Sequence, residues 1–281
     1  MASEFLQVSI PLPVSGDLTF IKGNPAVILP SNAESLFTAE SSKISLYEIL
    51  QMLPLQVRLF LKKILKAMGF RELSLQGLSF NLNLNLIWSL PPMVSYATLL
   101  SLILSSIADE TAIYSTFMGT VQRLMLSIPR KALLLALIAC SILKKPIACR
   151  ISEGILPISN ALPKLYVLVL THKGLKSPER KLPNHINQLL LHTMGHLTIE
   201  VARAIENGDL KSFYTLINVE SWLNFSLLFF KPSSQLAVAK LLKVFPSVKV
   251  SSPLRCFECF SEAPPKHIPL KIKDSPIILE V

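Results

Sequence analysis

Two groups of residues in this 281-residue sequence combine types and spacings that could do chemistry. His192, His196 and Glu200 stand at i, i+4 and i+8, so on a helix they share one face, and two imidazoles one turn apart can chelate zinc. A zinc protease helix carries its general base directly after the first histidine. Here that residue is Thr193, and no further acid cluster points at the face, so these side chains are expected at a solvent edge. Cys256 and Cys259 make half of a zinc knuckle, but Cys140 and Cys149 lie far away and His267 alone does not complete four ligands. The run Cys256-Phe257-Glu258-Cys259-Phe260 alternates as a strand does, which sends the two thiols to opposite faces. Both groups read as structural, and no metal and no catalytic residue is assigned. Gly-x-Ser-x-Gly, the Walker loop and Gly-x-Gly-x-x-Gly are all missing, so nucleophilic catalysis and ordinary dinucleotide binding have no motif behind them.

Glycine supply bears on the same question, because loops that cradle phosphate are built from it. The chain has nine glycines, where average usage near 7% would give about twenty. Half of the residues are apolar (51%) and 16% are charged, which excludes disorder; the length suffices for one large domain or two lobes. Lys and Arg exceed Asp and Glu by 28 to 18, a net charge of +10. The cations are scattered (Lys62, Lys63 and Lys66; Lys144 and Lys145; Lys271 and Lys273) without interleaved aromatics, which predicts a solvated surface with mild anion preference and no specific nucleic acid. Four cysteines do not make a disulfide framework. Met1 to Pro13 contains Glu4 and no basic start, so no secretory signal is expected and the cytoplasm is the expected location. No charge occurs from Leu73 to Ala108, yet Pro91-Pro92 interrupts that stretch. Met93 to Ala108 is sixteen residues with four serines, and Ala132 to Leu143 is twelve residues. A spanning helix needs ~20 apolar residues, so a membrane is not an expected partner.

The elements that would position any site follow from periodicity. Residues 5–40 read as two or three short strands divided by Ser15-Gly16-Asp17 and Gly23-Asn24-Pro25. Ser45 and Glu48 form a capping box that opens a helix interrupted at Pro54. The helix after it buries Leu61, Ile64, Leu65 and Met68 and ends at Gly69. Leu78, Phe80, Leu82, Leu84 and Leu86 alternate with Ser79, Asn81, Asn83 and Asn85, predicting one strand over 78–86. A loop from Trp88 to Val94 leads into an apolar helix, followed by helices over 110–126 and 129–143. Strands are predicted over 147–151 and 165–171, helices over 184–206, 210–219 (capped by Asp209) and 233–244, then strands at 248–250, 255–260 and 277–281.

Read along this order, three stretches resemble the GHMP superfamily of small-molecule kinases, on the mevalonate kinase and diphosphomevalonate decarboxylase side. Ser9-Ile10-Pro11-Leu12-Pro13-Val14 followed by Lys22-Gly23-Asn24-Pro25-Ala26-Val27 is similar to the family's opening Ser-Ala-Pro-Gly-Lys-Val strand and Gly-x-Pro-Ala segment. Leu90-Pro91-Pro92-Met93-Val94-Ser95-Tyr96-Ala97 stands where the family has Pro-x-x-x-Gly-Leu-Gly-Ser-Ser-Ala. Ala204-Ile205-Glu206-Asn207-Gly208-Asp209-Leu210 is similar to Ala-Leu-x-x-Gly-Asp-Leu, and Ala148-Cys149-Arg150 to a decarboxylase Ser-Ala-Cys-Arg. The resemblance implies an α+β, two-lobed fold in which mixed or antiparallel sheets pack with helices around a central cleft, with lobes at 1–160 and 161–281.

The departures are systematic. Pro92 and Val94 occupy glycine positions of the phosphate loop, Tyr96 replaces the second Ser, and only Ser95 survives. Pro13 replaces the opening Lys, no Asp near Cys149-Arg150 can serve as the catalytic acid, and Val250-Ser251-Ser252-Pro253-Leu254 has no glycine where the family's last phosphate loop lies. Proline donates no N–H and valine disfavours the positive φ that glycine supplies. The expectation is therefore a diverged GHMP-type protein without cofactor: a pseudokinase acting as a partner subunit, or a small-anion binder using Lys22, Ser89, Ser95, Arg150 and Ser252. Its partner would be another protein or a second copy. The alternatives are an active ATP- and Mg-dependent small-molecule phosphotransferase with an unorthodox loop, and a basic membrane-associated protein.

Overall fold

The computed structural model describes residues 8–32, 41–70, 78–107, 110–159, 162–171, 175, 182–228, 231–268 and 276–281. The outer parts of the 5–40 strand region and the predicted lobe boundary at 160–161 lie outside the described residues.

Strand β1, Ile10–Ser15, carries Pro11 and Pro13, which remove two ladder donors and confine it to a sheet edge. It is the edge of an antiparallel sheet in the order β1-β2-β5-β6, with β2 at Ala26–Ser31, β5 at Ile147–Arg150 and β6 at Gly154–Pro157. Pairing runs Leu12 to Leu29 and Pro13 to Ile28, then slips so that Ser15 meets Val27. This bulge re-aims the end of the strand. A 3-10 turn, Phe20–Lys22, closed by Gly23 at φ 94, returns the chain to β2.

Helices α4 (Pro92–Ser105) and α6 (Ala132–Leu143) lie against this sheet. All ten residues from Ala132 to Ser141 are buried, the arrangement an all-round apolar helix requires. Helix α5, Glu110–Ser127, packs on α6. Beside them α1 (Leu46–Met52) and α2 (Leu55–Ala67) lie in sequence between the strands of a two-stranded ribbon, β3 (Ser42–Ser45) and β4 (Ser79–Leu82). The Ser45–Glu48 capping box forms as expected, and Leu61, Ile64, Leu65 and Met68 are buried.

The second half is built on an antiparallel sheet ordered β10-β7-β9-β8: β7 Tyr166–Thr171, β8 Ser247–Ser251, β9 Cys256–Ser261 and β10 Ile277–Glu280. Helices α7 (Asn184–Glu206), α8 (Leu210–Leu227) and α9 (Pro232–Leu241) accompany it. One buried apolar cluster joins the halves, running from Ile10, Leu100 and Leu137 to Val167, Val201, Phe213 and Phe260. A second, with Leu168, Phe225, Val248, Val250 and Phe257, fills the far side of the second sheet.

The structure corrects the alternation reading at 78–86. The strand stops at Leu82, and Asn83 caps a short helix α3, Leu84–Ser89, its side chain accepting the Leu86 N–H at 3.1 Å. An asparagine that can cap locally competes with strand continuation, and among the described residues β4 pairs with β3 alone. The expected loop from 88 to 94 shortens to Leu90-Pro91 between α3 and α4. Helix α8 extends to Leu227 rather than 219, and strands β3 and β6 were not foreseen.

Candidate functional site

The start of α4 holds Leu90 to Ala97, the stretch for which the sequence resemblance implied a phosphate loop. Pro91 is its N-cap residue and Pro92 its first, so two of the backbone groups that would donate at a helix N-terminus carry no N–H. Leu90, Pro91 and Val94 are buried. The Ser95 N–H closes the first turn on the Pro91 carbonyl at 3.0 Å. Its hydroxyl, 1% exposed, lies 2.7 Å from the Ile87 oxygen and 3.2 Å from those of Leu90 and Pro91. It therefore serves the carbonyl end of α3, a partially negative place.

The other expected site residues fall in separate groups. Lys22 is exposed on the turn before β2, and Arg150 at the end of β5 donates from Nε to Gly23 O at 2.7 Å, so its side chain is anchored on the turn that carries Lys22. Arg150 also pairs with Glu153 at 2.5 Å. Ser89, at the end of α3, donates to Asn85 O at 2.7 Å. Ser252, in the β8–β9 hairpin turn, donates to Leu175 O at 3.1 Å.

The most charged place described in the interior is not evident from periodicity. In β8 the apolar Val248 and Val250 join the far core, so Ser247, Lys249 and Ser251 face the other way; in β9 Phe257 and Cys259 do the same, leaving Cys256, Glu258 and Phe260. Lys249 and Glu258 are direct cross-strand partners. The bulge at the end of β1 delivers Ser15, Gly16 and Asp17 to them, and α8 adds Glu220. Lys249 Nζ stands 3.1 Å from Asp17 Oδ1 and 3.8 Å from Glu258 Oε2, with all three side chains wholly buried; it also donates to the Pro13 carbonyl. Ser251 Oγ donates to Asp17 Oδ2 at 2.5 Å. Glu220 accepts from Gly16 N at 2.8 Å and from Ser15 Oγ at 2.5 Å, and Ser15 Oγ also meets Thr198 Oγ1 at 3.1 Å. Gly16 is required here: φ is 76, and a Cβ would stand 2.1 Å from the Pro25 oxygen.

One ammonium among three carboxyls cannot neutralise them all, and burial resolves the imbalance by retaining protons. Burial pushes Glu258 up to about 7 despite the pull of Lys249. Glu220 is raised for the same first reason, again against Lys249, with Asp17 adding to it. Burial alone would lower Lys249, but the charges of Asp17, Glu258 and Glu220 overcome it and the ammonium is held firmly protonated. The legible signal was a Lys between two valines and a Glu between Phe and Cys, charges inside strands otherwise apolar. With every member sealed from solvent, the cluster ties β1 to the second sheet and offers no access to a substrate.

His192 and His196 are exposed on α7, their Nε2 atoms 3.1 Å apart, while Glu200 pairs with Arg203 at 2.6 Å. Cys256 and Cys259 point into different apolar clusters, as the alternation required, and both are free thiols. No group of three or more metal-ligating side chains occurs among the described residues. No described helix is long and apolar enough to cross a membrane.

No protein-family model matches the chain, and no curated protein matches it in sequence. Solved structures do match in fold. The chain is similar to mevalonate pyrophosphate decarboxylase from Streptococcus pyogenes at TM-score 0.58 and 10% identity, covering 97% of this chain and 94% of that one. It is similar to L. major mevalonate kinase in complex with R-mevalonate at TM-score 0.57 and 12% identity, with 92% and 87% covered. For the Methanococcus jannaschii mevalonate kinase the values are 0.54, 10%, 90% and 89%. The fold is that of the GHMP small-molecule kinases, reached at strongly diverged sequence.

Proposed function

We propose that this chain is a pseudokinase: it keeps the kinase fold, does not use ATP, and acts by binding, as a partner subunit or through a small anion held at Lys22 and Arg150. The observation that carries this reading is the hydroxyl of Ser95. It is the one phosphate-loop side chain that survives by sequence, and it is buried against the carbonyls of Ile87, Leu90 and Pro91. An anion placed there meets carbonyl oxygen instead of convergent N–H groups. The residues do not fit a triphosphate.

The magnitude supports the same reading. Each lost charge-assisted hydrogen bond is worth ~1.5–3 kcal/mol. Removing the donors at Pro91 and Pro92 thus weakens a site by roughly two to four decades at ~1.4 kcal/mol per decade. A site of ~10 μM, ordinary for an enzyme substrate, becomes millimolar or weaker. The test is calorimetry with Mg-ATP, for which the expected dissociation constant is above ~1 mM. A value below ~100 μM would overturn the proposal and return the active phosphotransferase to the lead.

A further inference from the structure

Helix α2 turns Val57, Phe60, Leu61, Ile64 and Leu65 to the core. Its opposite face is not wholly polar, as such a face normally is. Leu55 and Leu59, one turn apart, are 61% and 51% exposed. The line they start continues at helical spacing through Lys62 and Lys66, with Lys63 beside it, all three exposed. Helix α2 contains no acid. Across the Phe60 flank the cationic border continues in Lys131, whose ammonium stands 6.0 Å from the Phe60 ring centre. Single exposed leucines are ordinary, but leucines aligned with like-signed charges on one helix face belong to a surface that meets something both apolar and anionic.

We infer that the outer face of α2 is a docking surface for an anionic lipid bilayer. Leu55 and Leu59 enter the headgroup boundary while Lys62, Lys63 and Lys66 meet the acidic headgroups. Charge complementarity selects this occupant. A second copy would bring the same lysines, on a chain of net charge +10, against them. A nucleic acid would satisfy the lysines and leave the leucines in water. A bilayer supplies negative charge and an apolar layer within the 5–10 Å depth that interfacial helices reach. The stripe from Leu55 to Lys66 is roughly 16 Å long at ~1.5 Å per residue, enough to rest on several headgroups. Two leucines make a modest anchor, so the association is reversible and depends on salt.

The experiment is co-sedimentation of the full chain with phosphatidylcholine vesicles, with and without phosphatidylserine. Binding is expected only with phosphatidylserine and is expected to fall away at high salt. Each lysine near such a surface contributes roughly fivefold, so joint Lys62→Ala, Lys63→Ala and Lys66→Ala substitution should lower partitioning on the order of a hundredfold. Leu55→Ser with Leu59→Ser should lower it at least ~tenfold, with only a small fall in the melting temperature of either variant, since none of the five side chains is buried. No binding, or equal binding to both vesicles, overturns the inference. So does loss with the lysine variant but not the leucine variant, which describes a simple polyanion patch. Light scattering that shows a dimer broken by these substitutions assigns the face to a second copy and overturns it equally.

Discussion

A lysine with no exposed atom is tolerated only where opposite charge reaches it. Lys249 meets that condition through Asp17 and Glu258, so Lys249→Met leaves buried carboxyls without their cation. The expected loss is about 3–5 kcal/mol, the cost of breaking a buried pair from one side, read from urea denaturation. The acids make a second prediction, with the opposite sign to ordinary acid denaturation. Glu258 rises from 4.5 in the open chain to about 7 when folded, and Glu220 is raised as well, so the folded state binds more protons between these values. Stability from this source is complete below pH 4.5 and is lost as pH rises through 7. The groups facing Glu258 are Lys249, Asp17, Glu220 and the Cys256 thiol. The protein should resist urea better at pH 6 than at pH 8, and Glu258→Gln should remove most of that difference. A pH-independent midpoint in the parent chain would show that the cluster does not exchange protons with folding.

At the scale of elements, the β4–α3 junction shows how a period-two pattern can outrun the strand it describes. Leu82 is fully buried, and Asn83 gives its side chain to the Leu86 N–H. Leu82→Asp places a charge in the core and is expected to cost several kcal/mol, whereas Asn83→Asp keeps the capping oxygen at a helix N-terminus, where negative charge is favoured, and should cost less although the position is buried. Asn83→Ala removes the cap and should cost about 1 kcal/mol. Thermal melts of the three variants rank them, and equal melting for the asparagine pair would contradict the cap. The bulge in β1 belongs to the same scale. Without the slip between Pro13 and Ser15, the residues that meet Glu220 and Lys249 would stay in the sheet plane.

For the whole molecule, the two halves share an apolar cluster and a buried ion pair. Neither half can close that surface alone. Expressed separately, residues 1–160 and 161–281 are expected to lack a cooperative melt and to expose apolar surface to a hydrophobic dye, regaining the melt only when combined. A cooperative transition in either fragment by itself would make the lobes independent domains. The kinase fold at 10–12% identity fits this view. Core volume and element order can be retained while the sequence diverges, because packing depends on the apolar pattern more than on particular residues.

Local chemistry was readable from the residues themselves. The Ser45–Glu48 box, the Asp209 cap, the bounds of α7 and the opposed faces of Cys256 and Cys259 each depend on neighbours a few positions apart, and each appears in the structure. Tertiary structure alone decided the rest. It ended the 78–86 strand at Leu82, where Asn83 turns to cap the helix that follows. It placed Lys249, Asp17, Glu220 and Glu258 in one sealed cluster, although 241 positions separate the outermost pair, Asp17 and Glu258. It also left Leu55 and Leu59 facing outward. Sequence periodicity says that a helix has an apolar face; which apolar residues stay uncovered depends on what the rest of the chain brings against it.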